Sequence, residues 1–201
     1  MKNFRIPFFV PWIFPRRIWK MKSKNAVYLT FDDGPQEGLT DWILDFLAEH
    51  NIRATFFCVG ENVRNNPALF AKIQSFGHRV GNHTMKHERG TKTRQSEYIQ
   101  SIQDAGGFIN SNLFRPPYGR LPIWKTAEIL KEYKIIMWSW LSYDFDKTIS
   151  IEKILINANS IKGGDILVFH DNLKSQERLK ILLPKVVDLI RTKGLNFECI
   201  D

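Results

Sequence analysis

The chain predicts a single α/β domain, a distorted and incomplete (β/α)7-type barrel of TIM-barrel-like design. Three observations carry that expectation. Apolar, strand-like runs alternate with stretches of helical periodicity along nearly the whole length. The runs lack the period-two polarity of a half-exposed sheet, so both faces are covered, as in a parallel sheet wrapped by helices. About seven such runs fit into 201 residues, a length that suits one domain with a full core.

Taken in order, residues 1–24 form a basic, aromatic arm ahead of a domain spanning 25–201. The arm carries Lys2, Arg5, Arg16, Arg17, Lys20, Lys22 and Lys24 and no acidic residue. The formal net charge is +8, yet outside the arm 22 basic residues face 21 acidic ones. A nucleic-acid groove in the body of the protein is disfavoured on that count. The apolar run Phe8–Phe14 is broken by Pro11 and is too short to span a membrane, which takes about 20 residues. No small-residue cleavage site follows the basic start, which argues against a cleaved signal peptide. A strap packed on the barrel is expected, with weak adsorption to an anionic membrane surface as the alternative. The compartment stays open: cytoplasmic by default, with a cell-envelope substrate the other reading. Two cysteines make no disulfide scaffold, and Cys58 reads as a small core residue.

The first strand is Ala26–Leu29, and Thr30-Phe31-Asp32-Asp33-Gly34-Pro35 forms its exit. Gly34-Pro35 forces a turn there. Successive strand side chains point oppositely, so Asp32 and Asp33 take different jobs: one on a metal, the other on the attacking water. Helical spacing is carried by Trp42, Ile43, Phe46 and Leu47. Strand Ala54–Val59 follows, then a helix over Pro67–Phe76, a short strand Arg79–Asn82, and a helix over Ser96–Asn110. Leu113–Arg115 is a strand broken by Pro116-Pro117, Ile123–Lys131 a helix, and Ile135–Trp138 a strand. Ile151–Ala158, Asp165–Phe169 and Leu179–Ile190 give helix, strand, helix, and Asn196–Ile200 closes the set.

In such barrels the working residues lie at the C-terminal ends of the strands. Asp32-Asp33, His83 with His87, Arg115, Asp144 and His170-Asp171 all fall there. His83 and His87, four apart, share one face of a helical turn and suit one metal ion. No Glu follows His83, so the zinc-protease pattern is absent. Two His and one carboxylate accept Zn²⁺, or Fe²⁺ as in oxygenases. His50 and His78 read as structural.

Thr30–Pro35, Asn82-His83-Thr84 with His87, Arg115-Pro116-Pro117-Tyr118-Gly119 and Leu167–Asp171 together resemble the ordered motifs of the polysaccharide deacetylase family (the NodB-homology domain, carbohydrate esterase family 4). The resemblance covers roughly residues 26 to 171. It implies that Asp33, His83 and His87 hold a divalent metal, usually zinc, with cobalt an alternative. It implies Asp32 as general base, Arg115 as its tether, and the Tyr118 N–H as part of an oxyanion hole. His170 becomes the general acid, oriented by Asp144, and Leu167 lines a pocket for the acetyl methyl. The family's fourth motif, Asp, two residues, then Asp-Trp, is altered here. Leu141 stands for the first Asp and Phe145 for the Trp, while Asp144 is kept, so the change falls on pocket shape and substrate preference.

The activity implied is deacetylation of an N-acetylated carbohydrate, an N-acetylglucosamine polymer such as peptidoglycan or chitooligosaccharide. Its rivals are an O-acetyl esterase on acetylated xylan, a ferrous oxygenase, and a binding module that has lost catalysis. Trp138, Trp140, Tyr143 and Phe145 suit pyranose faces in a groove. The balanced charge of the body favours a neutral chain over a strongly anionic one.

Overall fold

Strand β1 (Ala26–Asp33) is apolar and β-branched enough to be buried along its first seven residues, and the sheet is hung on it. The structure, a computed structural model, describes residues 3–201. Along the chain come α1 (Val10–Ile13), β1, α2 (Leu39–Glu49), β2 (Thr55–Cys58), α3 (Gly60–Asn65), α4 (Pro67–Ser75), β3 (Arg79–Asn82) and α5 (Gln95–Gly106). Then follow β4 (Leu113–Phe114), α6 (Ile123–Ile129), β5 (Lys134–Ile135), β6 (Trp140–Leu141), α7 (Ile151–Ala158), β7 (Ile166–His170), α8 (Gln176–Thr192) and β8 (Asn196–Phe197).

The strands run β5-β4-β3-β2-β1-β7-β6, all pairs parallel, with β8 attached to β1. This curled parallel sheet with helices outside is the distorted (β/α)7 barrel expected. Register levels the strand ends: Asp32 lies opposite His170 and Phe57, Cys58 opposite Asn82, and Asn82 opposite Phe114. Residues that leave different strands therefore meet on one rim. The layer outside the sheet is filled by side chains such as Ile43, Leu47, Leu182, Val186 and Ile190, and the interior by Tyr28, Phe57, Leu113, Ile136 and Ile166.

Two elements differ from the sequence reading. Helix α3 directly follows β2, in a segment whose only buried apolar side chain is Val63, so no periodic stripe betrays it. The expected strand Ile135–Trp138 is longer and split. Its start pairs with β4 through β5, and its continuation pairs with β7 through β6, so one extended segment joins both edges of the curl. No helix separates β5 from β6, and the outer layer lacks cover there.

The arm fills that gap. Arg5 bridges Trp140, Ile18 bridges Ile136 and Lys20 bridges Asp165. Phe4, Arg17 and Trp19 are buried. The Arg5 guanidinium grips the buried Asp165 carboxylate with two bonds of 2.9 Å, and Lys20 Nζ lies 3.1 Å from it. Arg17 donates to the Leu121 carbonyl at 2.8 Å and to Thr126 Oγ1 at 3.0 Å. Three of the arm's cations are thus consumed internally. Phe8, Phe9, Trp12 and Ile13, by contrast, stand exposed on its outer side. No helix of the described residues is long and apolar enough to cross a membrane.

Candidate active site

Both carboxylates at the exit of β1 line one cavity of about 720 Å³. Strand alternation alone would send them to opposite sides. Asp33 has φ of +84°, which ends the alternation and turns its side chain back to the cavity.

Asp32 is buried and receives Arg115 Nη1 on Oδ1 at 2.6 Å. Arg115 is fully buried and also donates to Thr30 Oγ1 (2.7 Å), the Met137 carbonyl (2.9 Å) and the Ile136 carbonyl (3.3 Å). A two-pronged grip on Asp32 was open to this arginine; the structure uses one nitrogen and ties the others to the segment after β5. Burial lowers the guanidinium's pKa, partly offset by Asp32.

His83 and His87 do not share a helical turn. Their segment is a loop with left-handed residues at Thr84 (φ +66°) and His87 (φ +58°), which brings the rings to 5.1 Å. Asn82 Oδ1 accepts from the Thr84 N–H at 2.8 Å, and Ser101 Oγ accepts from the Met85 N–H at 2.9 Å. His83 Nδ1 lies 2.7 Å from the Arg115 carbonyl. A carbonyl only accepts, so Nδ1 carries the hydrogen and Nε2 of the neutral ring keeps a lone pair. Burial holds the ring neutral, with its pKa pushed down to about 4 against the pull of Asp32.

That lone pair faces Asp33. Asp33 Oδ1 is buried and receives no hydrogen bond, lying 3.1 Å from His87 Nε2 and 3.6 Å from His83 Nε2. One ligand atom from each residue falls within 4.8 Å of the others. Three ligand atoms that converge this closely, a carboxylate oxygen and two imidazole nitrogens, fit a single divalent cation. Burial opposes ionisation of Asp33, but His87, His170 and His83 together hold its carboxyl well below the usual range.

Across the cavity, Asp144 uses both oxygens on one residue. Oδ1 is 2.7 Å from His170 Nδ1, and Oδ2 accepts the His170 backbone N–H at 2.8 Å. Burial alone would push the imidazole down; Asp144, with Asp33 and Asp32 beyond it, lifts it to about 9. The Phe145 ring stands edge-on to His170 at 4.8 Å. Tyr118 has φ of +59°, and among the described residues its backbone N–H has no acceptor. Gly119 beside it also has positive φ, and a Cβ there would strike the Trp138 ring.

Leu167 is a correction. It is fully buried in the layer between sheet and helices and does not reach the cavity. Val168 lines the cavity instead, because it is the residue two before His170 that shares its face of β7. The aromatic cluster divides as well. Trp138 and Phe145 line the cavity, with Leu141 between them in sequence. Trp140 is fully buried and Tyr143 packs against Phe4. His50 and His78 make structural bonds, to the Phe46 carbonyl and from the Ala54 N–H.

Three residues that the sequence reading passed over support the site. Asn172 Nδ2 donates to Asp33 Oδ2 at 2.6 Å, Thr30 holds Arg115, and Thr40 Oγ1 donates to Asp171 Oδ2 at 2.5 Å. Burial raises the Asp171 carboxyl to about 7, and it ties α2 to the end of β7 outside the cavity. Asn172 had a usable signal: it lies two residues past His170, on the same rim.

The polysaccharide deacetylase family model matches residues 20–137. The chain is 29% identical over 192 residues to a peptidoglycan-N-acetylglucosamine deacetylase of Bacillus cereus, covering 90% of each chain. It is 32% identical over 176 residues to a chitooligosaccharide deacetylase of a Bradyrhizobium species, covering 81% of this chain and 78% of that one. A crystal structure of a peptidoglycan N-acetylglucosamine deacetylase bound to an N-hydroxybenzamide superposes with a TM-score of 0.81 at 30% identity. That likeness covers 97% of this chain and 95% of the other. On its fold, its motifs and these likenesses, the chain belongs to the polysaccharide deacetylase family of hydrolases.

Proposed function

We propose that this protein removes N-acetyl groups from an N-acetylglucosamine polymer, peptidoglycan or chitooligosaccharide, with residues 25–201 as the catalytic domain and 1–24 as its arm. Asp33, His83 and His87 would hold the metal, zinc in this reading. When bound, the ion polarises the acetyl carbonyl and makes water more acidic.

This chain's own residues do the rest. Asp32, kept ionised and aimed by Arg115, takes the proton from the attacking water. The Tyr118 backbone N–H donates to the oxyanion that forms on the acetyl carbon, a donor of this kind being worth roughly 3–4 kcal/mol. His170 then gives its Nε2 proton to the sugar nitrogen as the C–N bond breaks, releasing acetate and an amine. Val168, in place of Leu167, faces the acetyl methyl, and Trp138 and Phe145 flank the sugar.

The observation that carries the amide reading is the grip of Asp144 on His170. An amine leaves only when protonated, whereas an alkoxide departs with far less help. The test is acetate release from N-acetylglucosamine oligomers, peptidoglycan and acetylated xylan, by wild type and His170→Ala. We expect amides to be cleaved and to lose far more than an activated acetate ester in the variant. Release from xylan alone overturns the reading in favour of an O-acetyl esterase. The exposed Phe8, Phe9, Trp12 and Ile13, with Arg16 beside them, support weak contact with an anionic membrane surface near an envelope substrate.

A further inference from the structure

The body of the chain is nearly charge-balanced, but the cavity mouth is not. Lys86, Arg89, Arg120 and Lys174 line it, and among the described residues none of them forms an ion pair. The acidic groups there are engaged elsewhere: Asp32 with Arg115, Asp33 among the imidazoles, and Glu61 with Arg64 at 3.0 Å.

One of the four is held in place. The Arg89 guanidinium lies 4.4 Å from the centre of the Tyr118 ring, which itself lies 4.6 Å from the His87 ring. Stacking uses the face of a guanidinium and leaves its in-plane N–H donors available. The backbone beneath is fixed by the nearly buried Lys125, whose Nζ donates to the Gly90 carbonyl at 2.7 Å and the Thr93 carbonyl at 2.5 Å. Gly90 in turn packs on the Arg120 carbonyl so closely that a Cβ would sit 2.5 Å away. Two arginines therefore belong to one braced wall, a ring's breadth from the candidate metal ligands.

We propose that this wall, Arg89 and Arg120 with Lys86 and Lys174 at the mouth, is a subsite for an oxyanion carried by the sugar chain beside the N-acetylated ring. An arginine fork with free donors matches a carboxylate or a phosphate, and a neutral chain leaves it unpaired. The assignment rests on the deacetylase reading and departs from the expectation of a neutral chain, because overall charge balance hid a local excess at the cavity.

Three oligosaccharides of equal length test it: an N-acetylglucosamine tetramer, its 6-phosphorylated form, and a glycan-strand tetramer bearing lactyl carboxylates. For Arg89→Gln, the kcat/KM ratio of an anionic over the neutral substrate should fall about tenfold, the worth of one charge-assisted pair at a solvated wall. Arg89→Lys should recover part of it, and Lys174→Gln, on a separate loop, should lower the same ratio without touching the stack. The anionic substrate that responds identifies carboxylate or phosphate as the group. A ratio that stays constant, or that falls only through kcat, overturns the subsite. Calorimetric binding of the three chains to the zinc-loaded Asp32→Asn protein, with and without Arg89→Gln, reads the subsite even if no acetate is released. Loss of turnover with anion preference intact would fault the deacetylase reading alone, and equal affinities would fault the subsite.

Discussion

Asp33 has one oxygen free for an ion because the other is taken. Asn172 occupies Oδ2 at 2.6 Å, which fixes the carboxylate plane and turns Oδ1 towards the two imidazoles. Removing such an outer partner costs metal affinity about 10–100-fold, so Asn172→Ala should show that loss in a chelator competition, while Asp32→Asn keeps its metal and loses turnover. A variant that holds zinc as tightly as wild type removes Asn172 from this role. The acid side makes a pH prediction. In the proposed mechanism His170 must be protonated, and its pKa is raised to about 9, so activity should fall as pH rises through that value. Asp144→Asn removes the main attraction for the imidazolium, and the alkaline limb of the pH–rate profile should move to lower pH. An unmoved limb means another group supplies the proton. The grouping of these residues was legible in the sequence, since the carboxylates and imidazoles are rare types placed at strand exits, whereas their roles came only with the family resemblance. Leu167 was misread because a motif gives position, whereas the face of β7 is set by counting in twos from His170.

At the scale of elements, the arm is a surrogate for a helix. The chain passes from β5 to β6 without one, and Phe4 and Trp19 close the outer layer there. Deleting residues 1–20 leaves the Asp165 carboxylate buried without its two cations, a loss of about 3–5 kcal/mol, or roughly 10 °C in Tm for a domain of this size. Trp12→Ala combined with Phe8→Ala should spare Tm, as both side chains are more than 80% exposed, and should reduce sedimentation with anionic vesicles. Wild type that never sediments with such vesicles sinks the membrane contact. That the arm straps the barrel was expected; which residues hold it was not readable from composition. Arg5, Arg17 and Lys20 looked like surplus charge because their partners lie more than a hundred residues away, as for Arg5 and Asp165, or are neutral, as for Arg17 and the Leu121 carbonyl. Helix α3 was hidden for a simpler reason, a segment too polar to print a stripe.

For the whole molecule, the alternation of strands and helices was legible because parallel strands buried on both faces are uniformly apolar. The closure was not, since pairing of one segment to both edges is a property of the curl rather than of its residues. That closure also governs how the chain comes together in time. Arg5 and Asp165 are 160 residues apart, and Arg17 and Leu121 are 104 apart. The arm precedes its dock along the chain, and that dock does not exist until β5, β6 and the start of β7 have been made. Contacts of such separation are slow to form, so the barrel should not assemble piecemeal from its N-terminal half. Trp19 should become buried in the same kinetic step that forms the rest of the sheet, followed by its fluorescence during refolding. Backbone amides of residues 134–141 should exchange only with global opening. The seam makes the arm and the segment from β5 to the start of β7 a single cooperative unit.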